Sequence, residues 1–253
     1  MRIYAGDYTD CADADIVAIS AGVAQKPGET RLDLLRRNEA VFRSIVEPVT
    51  ESGFNGIFLV ATNPVDIMTR ITCALSGFNA RRVIGTGTTL DSARLRYLLG
   101  NHFSVDPRNV HAYVIGEHGD SEFVPWSQAM LATRPIHDYC EDGFCDMQQV
   151  QTIENEVRCA AQKIIEAKRA TYYGIGMAMV RITRAVLGDE NSVLTVSAKL
   201  DLPGCEGVFA GMPCIVNRNG VRRVLPLKLT EAEQARLQES CETLQQAYES
   251  LHS

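Results

Sequence analysis

Short apolar runs alternate with helical patterns over residues 1–90. Residues 14–22 predict a strand that ends in Gly22, and residues 57–61 are apolar throughout, as a parallel strand covered on both faces requires. Between them, apolar residues recur at helical spacing and predict a helix with one buried stripe. Pro48 should kink or end that helix unless it lies near a terminus. A third strand ends at residues 83–85, and this order is typical of parallel strands joined by crossover helices.

The pattern changes after about residue 90. A helix fits residues 91–100, a strand fits residues 110–115, and one long helix fits residues 147–168. Apolar runs then follow that predict antiparallel strands, at 192–198, 211–217 and 221–227, with Arg218-Asn219-Gly220 as a hairpin turn between the last two. Thr230 and Glu233 form a capping-box pattern at the start of a final helix. We therefore expect an open parallel α/β sheet followed by an α+β region.

Composition and charge narrow the class of protein. The 253 residues are 45% apolar, enough for a sizeable core, and 25 Lys and Arg against 31 Asp and Glu give a net charge of −6. This balance makes nucleic acid and anionic membrane surfaces unexpected partners. The apolar runs are far shorter than the roughly 18 residues that a membrane helix needs, and residues 1–8 have no signal-peptide pattern. We expect a cytoplasmic protein.

The cysteines predict neither a disulfide framework nor a metal site. No C-x-x-C pair or zinc-type histidine spacing accompanies them, and no export signal precedes them. We interpret all of them as reduced thiols, several of them buried. They are Cys11, Cys73, Cys140, Cys145, Cys159, Cys205, Cys214 and Cys241.

Three loops follow the predicted parallel strands, where open α/β sheets bind their ligands. The first carries Arg31 in a segment that could act as a lid, and the second places Asn63 before Pro64. The third leads to Asp91 and Arg94, which share one helix face. Taken alone, that last pair is better explained by an aspartate at a helix start with a surface arginine.

His118 is the strongest candidate for acid–base chemistry. It lies in Gly116-Glu117-His118-Gly119-Asp120, directly after a strand, where flanking glycines permit close approach to a ligand. A histidine held by a buried aspartate is a standard general acid or base, and Asp91 is the best candidate for that aspartate. The remaining candidates, His102, His137 and His252, are interpreted as structural.

Five motifs together resemble the L-lactate dehydrogenases, in the order found in that family and over nearly the whole chain. They are Gln25-Lys26-Pro27-Gly28-Glu29-Thr30-Arg31, Val60-Ala61-Thr62-Asn63-Pro64-Val65-Asp66, Leu90-Asp91-Ser92-Ala93-Arg94, Gly116-Glu117-His118-Gly119-Asp120 and Ala170-Thr171-Tyr172-Tyr173-Gly174-Ile175. The resemblance implies NAD-dependent interconversion of pyruvate and lactate, as in fermentation of pyruvate after glycolysis.

The resemblance also implies roles for individual residues. His118 would exchange a proton with the substrate oxygen, and Asp91 would orient the imidazole. Arg94 would hold the substrate carboxylate with its two-pronged guanidinium, and Arg31 would polarise the carbonyl as the lid closes. Asn63 and Thr171 would complete the substrate pocket.

Gln25 implies a preference for pyruvate over oxaloacetate. In the malate dehydrogenases of this superfamily, an arginine at this position pairs with the second carboxylate of the substrate. A neutral glutamine would leave that carboxylate desolvated and unpaired. A related 2-hydroxy acid or malate dehydrogenase is the alternative.

Arg96 and His111 resemble the activator site of allosteric bacterial members, which bind fructose 1,6-bisphosphate between subunits. Two cationic side chains suit a phosphate group. The resemblance therefore implies an activator site and a homotetramer, whereas the residues alone favour a surface arginine and a strand histidine without a ligand.

The sequence departs from the family in one respect: it has no strand–G-x-G-x-x-G–helix unit for the cofactor pyrophosphate. The glycine runs at 85–90 and 174–179 lack the third glycine. We expect an incomplete Rossmann-type parallel sheet whose first βαβ unit is missing, with residues 1–86 as the remaining NAD-binding part and residues 87–253 as the catalytic domain. The cofactor contacts that the resemblance still implies are Tyr8, Gly22, Val23, Ser44, Ala61, Thr62, Asn63 and Thr86.

Two hypotheses follow from this departure. In one, the chain is a lactate dehydrogenase recorded without its first segment. In the other, it is a non-catalytic remnant that assembles with other subunits.

Overall fold

Three parallel strands begin the fold. The computed structural model describes residues 2–23, 28, 30–169 and 171–251, with the side chain of Arg31 excepted. Strand β1 (Ile16–Ile19) pairs with β2 (Ile57–Val60), which pairs with β3 (Val83–Gly85). Helix α1 (Arg31–Glu51) connects the first two strands and α2 (Val65–Ser76) the last two. Both pairings are parallel and each connection contains a helix, so the prediction of parallel strands with crossover helices is confirmed. Every residue of β2 is buried, as predicted for a strand covered on both faces.

Helix α1 tolerates Pro48 because the proline lies in its last turn. Pro48 has no N–H to donate to the carbonyl of Ser44, one turn earlier. That carbonyl instead accepts a hydrogen bond from the Tyr8 hydroxyl at 3.4 Å. At the other end, Thr30 and Asp33 form a capping box that satisfies the first backbone N–H groups.

The antiparallel strands extend the same sheet. Strands β7 (Ser192–Lys199), β8 (Phe209–Asn217) and β9 (Gly220–Val224) are the predicted antiparallel strands, and the predicted hairpin turn joins β8 to β9. Ser197 of β7 pairs with Gly85 of β3, so the sheet has the order β1-β2-β3-β7-β8-β9. The two predicted regions therefore form one mixed sheet. They join where β3 pairs in antiparallel with β7.

The predicted strand at 110–115 is largely wrong. Only β4 (Val110–His111) is a strand, and it pairs with β5 (Met130–Leu131), which pairs with β6 (Arg134–Pro135). Beyond β4, side chains at the start of α3 (Thr89–Phe103) occupy the backbone groups: Ser92 of α3 accepts from the N–H of Val114, and Thr88, the residue before the helix, donates to the carbonyl of Val114. A neighbouring strand cannot pair with backbone groups that are already bonded.

The predicted long helix at 147–168 is two helices. Helix α5 (Met147–Arg158) ends at Cys159, and α6 (Ala160–Lys168) follows. Helix α5 buries its apolar stripe against a second core cluster that includes residues of α3, whereas α6 buries no residue. The helical spacing of apolar residues continues from α5 into α6, but the core cluster that α5 packs against does not extend to α6.

Three more helices complete the described fold: α4 (Ile136–Glu141), α7 (Tyr173–Leu187) and α8 (Glu231–Glu249). The capping box of Thr230 and Glu233 at the start of α8 is confirmed. Among the described residues, no helix is both long and apolar enough to cross a membrane.

The interpretation of all cysteines as reduced thiols is wrong for four of them. Cys140 pairs with Cys145, and Cys205 pairs with Cys241. Cys205 and Cys241 are 36 positions apart, so their proximity depends on how α8 packs on the loop before β8 and is invisible in local spacing. The other four, Cys11, Cys73, Cys159 and Cys214, are free.

Candidate active site

A tight turn presents His118 at the carboxyl edge of the parallel strands. Ile115 and Phe123 pair across the base of this turn, and Gly116 has φ +91° and pairs with Gly211 of β8. A side chain at Gly116 would collide with Ser240 of α8, so glycine is required for both backbone and space. The turn is thus fixed on two sides before any ligand binds.

Asp91 and His118 form the predicted pair. Nδ1 of His118 lies 2.7 Å from Oδ2 of Asp91, which is 2% exposed in the first turn of α3. With Nδ1 engaged, Nε2 is the nitrogen left for a substrate. Burial alone lowers the pKa of His118, but the carboxyls of Asp91 and Glu122 outweigh it and raise the pKa well above its usual value. The imidazole therefore retains its proton at neutral pH.

Arg94 belongs to the same site. Its Nη1 donates to Oδ1 of Asp91 at 3.2 Å, and its side chain is 18% exposed. A Cβ built on Gly174 would lie 3.9 Å from Nη2 of Arg94, so the start of α7, three residues after the exposed Thr171, packs close to this guanidinium. The structure thus brings Arg94 beside Asp91, and the start of α7 close to Arg94.

Asp66 is a member of the site that the sequence analysis quoted in a motif but gave no role. It is 2% exposed in the first turn of α2, and its Oδ2 accepts from the backbone N–H of His118 at 2.8 Å. Burial raises its pKa to about 6, partly offset by Ser197 of β7 and by His118. The sequence signal for a buried role of Asp66 was a carboxylate among the apolar residues at the start of a helix.

Glu122 was also missed. It is 4% exposed, and its Oε2 lies 3.8 Å from Nδ1 of His118. A ring nitrogen of His118 and one oxygen each of Asp91 and Glu122 lie within 4.8 Å of one another. Burial raises the pKa of Glu122 to about 7, with Asp91 adding to the rise and His118 and Arg158 opposing it.

Most of the predicted cofactor residues gather where β1 and β2 end. The Thr62 hydroxyl donates to the carbonyl of Ala21 at 2.7 Å, and a Cβ on Gly22 would lie 2.9 Å from Thr62. The N–H of Val23 donates to Asn38, and that of Thr86 donates to Val60. These contacts place five of the predicted residues on one edge, next to exposed Asn63: Gly22, Val23, Ala61, Thr62 and Thr86.

Tyr8 and Ser44 lie together elsewhere, joined by the hydrogen bond across α1 described above. The residues at this edge have small side chains, as the approach of a flat nicotinamide ring would require. Tyr8 is exposed in the 3-10 helix Tyr8–Asp13, and Ser44 is exposed on α1.

The glycines at 85 and 87 pack against β7 rather than open toward a ligand. A Cβ on Gly85 would collide with Thr69 and Ser197, and one on Gly87, which has φ +49°, would collide with the backbone of Ser197. The expectation that this run is not a pyrophosphate loop agrees with that packing.

Two predicted lid residues fall outside the described part of the chain: Gln25, and the side chain of Arg31. Arg96 contacts the two residues that follow His111 in the chain. Nε of Arg96 donates to the carbonyl of Ala112 at 3.0 Å, and its guanidinium lies over the ring of Tyr113, while His111 is exposed next to Ala112.

Comparison with known proteins gives a consistent result. Residues 1–85 match the family model described as the lactate/malate dehydrogenase NAD binding domain, and residues 88–253 match the alpha/beta C-terminal domain of the same family.

Curated relatives are similar over almost the whole chain. An L-lactate dehydrogenase of Geobacillus stearothermophilus is 55% identical over 244 residues, which are 96% of this chain and 77% of the relative. L-lactate dehydrogenase 1 of Bacillus cereus is 50% identical over 247 residues, 97% of this chain and 79% of the relative.

Solved structures are similar as well. A lactate dehydrogenase from a Medee basin deep-sea metagenome library superposes with a TM-score of 0.97 at 46% identity, covering 100% of this chain and 82% of the other. The minor L-lactate dehydrogenase of Enterococcus mundtii, in its ligand-bound form, gives a TM-score of 0.94 at 46% identity, covering 97% of this chain and 79% of the other.

Proposed function

The chain belongs to the lactate/malate dehydrogenase family and is an NAD-dependent oxidoreductase of the L-lactate dehydrogenase type, and we propose that it reduces pyruvate at the site built on His118. The observation that carries the proposal is the buried Asp91 that bonds Nδ1 of His118 and also bonds Arg94. One carboxylate thereby orients an acid–base group and a carboxylate-binding group next to each other.

His118 acts as the general acid. Its raised pKa keeps the proton on the ring at neutral pH, and Nε2 delivers it to the oxygen of the substrate carbonyl. Reduced NAD supplies the hydride when it is bound. As His118 becomes neutral, Asp91 holds the tautomer that carries hydrogen on Nδ1 and leaves Nε2 able to accept the proton again in lactate oxidation.

Arg94 binds the substrate carboxylate. A guanidinium donates two parallel hydrogen bonds to a carboxylate, so it fixes orientation as well as charge. Arg31 would polarise the carbonyl, and Asn63 and Thr171 would complete the pocket. NAD would be held at its nicotinamide end by the edge formed by residues 22–23, 61–63 and 86, with Tyr8 and Ser44 as outlying contacts.

The test measures binding and turnover of the 253-residue chain separately. Titration with NADH, followed by fluorescence, should show saturable binding, and pyruvate should then oxidise the NADH. His118→Asn should retain NADH binding and lose turnover by a factor on the order of 10³. A chain that does not bind NADH is not the proposed enzyme; a His118→Asn variant as active as the wild type would remove His118 from the mechanism.

We further propose a tetramer activated by fructose 1,6-bisphosphate at Arg96 and His111. The contact of Arg96 with the two residues that follow His111 supports the activator site, and an exposed apolar stripe on α7, formed by Tyr173, Met177, Val180 and Leu187, supports self-association. Sedimentation velocity with and without the bisphosphate tests both parts. Arg96→Gln with His111→Gln should abolish any effect of the bisphosphate, and an unchanged response in that variant would exclude the site.

We also propose that this NAD-linked enzyme of central metabolism works in the cytoplasm.

A further inference from the structure

Glu122 is a buried carboxyl that the mechanism above does not use. The pairing of Ile115 with Phe123 holds the base of the His118 turn, and the N–H of Glu122 bonds the carbonyl of Gly119 at 3.3 Å. This second turn folds Glu122 back beneath the imidazole, with Oε2 3.8 Å from Nδ1. A side chain that is 5% exposed and aimed at a catalytic ring is not a solvated surface group.

Three charged or titratable groups face Glu122, each from a different element. His118 lies on the same turn as Glu122, Asp91 lies on α3, and Arg158 lies on α5. Arg158 does not neutralise the Glu122 carboxyl by a direct ion pair. Its Nη2 instead bonds the backbone carbonyl of Glu122 and the carboxylate of Glu154, each at 3.0 Å, and Glu154 also binds Arg236 of α8.

Resting on the proposed function, we propose that Glu122 is a positioning residue that acts through His118: its carboxylate stabilises the protonated imidazole beside Asp91 and so sets the upper pH limit of pyruvate reduction. Because Asp91 already shares its charge with Arg94, a second carboxylate at this distance adds stabilisation that Asp91 alone does not provide.

Glu122 gains its charge in the neutral pH range. Glu122 has a pKa raised to about 7 by burial, so it is largely protonated in slightly acidic solution and ionises as the pH rises. The charge then appears 3.8 Å from Nδ1 of His118, whose pKa is already raised well above its usual value by Asp91 and by Glu122 itself. Ionisation of Glu122 therefore holds the proton on His118 over the range in which the imidazole would otherwise lose it.

The decisive variant is Glu122→Gln, which keeps the size of the side chain and removes the ionisation. NMR titration of the His118 ring, assigned by its loss in His118→Asn, should show a pKa about one unit or more lower than in the wild type. Glu122→Asp keeps a charge but withdraws it, and should give an intermediate value. Glu154→Gln is the matched control, since it removes a neighbouring carboxylate that bonds Arg158 but not His118, and should leave the titration unchanged.

Kinetics give an independent readout. In Glu122→Gln, the alkaline limb of kcat/KM for pyruvate reduction and the acid limb for lactate oxidation should move to lower pH together, since both report the same imidazole. A merely structural role would lower both rates at all pH values and move neither limb, and it would overturn the proposal, as would an unchanged NMR titration in a folded variant. The NMR result does not need turnover, so absence of pyruvate reduction in the wild type would contradict the proposed function without contradicting this inference.

Discussion

Nδ1 of His118 lies 2.7 Å from Oδ2 of Asp91, although 27 positions separate the two residues along the chain. Asp91 is fixed by the first turn of α3, and His118 is fixed by its backbone bond to Asp66 of α2. Two helices that follow β2 and β3 therefore hold the same histidine, α2 through its backbone N–H and α3 through its ring. The sheet edge sets this geometry before substrate arrives.

Removing the charge of Asp91 should damage the chemical step. In Asp91→Asn, the amide can present its NH₂ group to Nδ1, which favours the tautomer with hydrogen on Nε2 and removes the charge that stabilises the imidazolium. We expect kcat for pyruvate reduction to fall on the order of 10²-fold or more. Steady-state kinetics measure this, with the exposed Asp106→Asn as control; retention of wild-type kcat would show that the pair does not act in catalysis.

Replacing Arg94 by lysine should weaken substrate binding. The ammonium keeps the charge but cannot donate two parallel hydrogen bonds to a carboxylate. We expect KM for pyruvate to rise on the order of 10²-fold, with a smaller change in kcat. Arg43→Lys is a suitable control because Arg43 forms only exposed ion pairs on α1. Equal KM values in Arg94→Lys and the wild type would remove Arg94 from the substrate site.

Asp66 should matter for activity although no substrate atom needs to touch it. Asp66→Ala leaves the backbone N–H of His118 buried without its acceptor, at a cost of about 1–3 kcal/mol. We expect a lower thermal midpoint and a kcat/KM reduced on the order of tenfold or more, while Asp66→Asn retains an acceptor and should be less impaired. Kinetics that are the same in Asp66→Ala and the wild type would show that the turn around His118 is held without this bond.

The sequence predicted the candidate catalytic and substrate-binding residues, but not the buried residues that hold them in place. Periodicity located the parallel strands, and the motifs selected His118, Asp91 and Arg94 as candidates that the fold brings together, since these features can be recognised in the sequence. Asp66 and Glu122 could not be assigned, because their roles depend on which backbone and ring atoms the fold brings to them. The same limit explains the fold errors: the strand at 110–115 lost its pairing to side chains of α3, and the disulfide of Cys205 required the position of α8.

Gln25 should determine which oxo acid is preferred. The wild type should favour pyruvate over oxaloacetate, because a neutral side chain leaves the second carboxylate of oxaloacetate without a partner. Gln25→Arg should reverse or strongly reduce that ratio of kcat/KM values, and Gln25→Lys should do so less because it lacks the guanidinium fork. A wild type that favours oxaloacetate would contradict the assignment to L-lactate dehydrogenase activity.

Stability should fall as the pH rises from about 4 to 7. Burial raises the pKa of Asp66 to about 6 and that of Glu122 to about 7, above the roughly 4 that each has in an unfolded chain. A raised pKa in the folded state gives stability that is present below the unfolded value and is lost as the pH rises through the folded value. Each pKa unit corresponds to about 1.4 kcal/mol, so full ionisation of Glu122, at roughly 3 units of difference, should cost up to about 4 kcal/mol.

Urea unfolding at a series of pH values measures that loss. In Glu122→Gln, the decline in the free energy of unfolding between pH 5 and 7 should become shallower than in the wild type, because one of the two buried ionisations is gone. Asp106→Asn is the control with the opposite sign: hydrogen bonds from Arg108 lower the pKa of Asp106 to about 2, so its contribution to the pH dependence lies below pH 4. Parallel curves for the wild type and Glu122→Gln between pH 5 and 7 would mean that Glu122 does not ionise in the folded chain over this range.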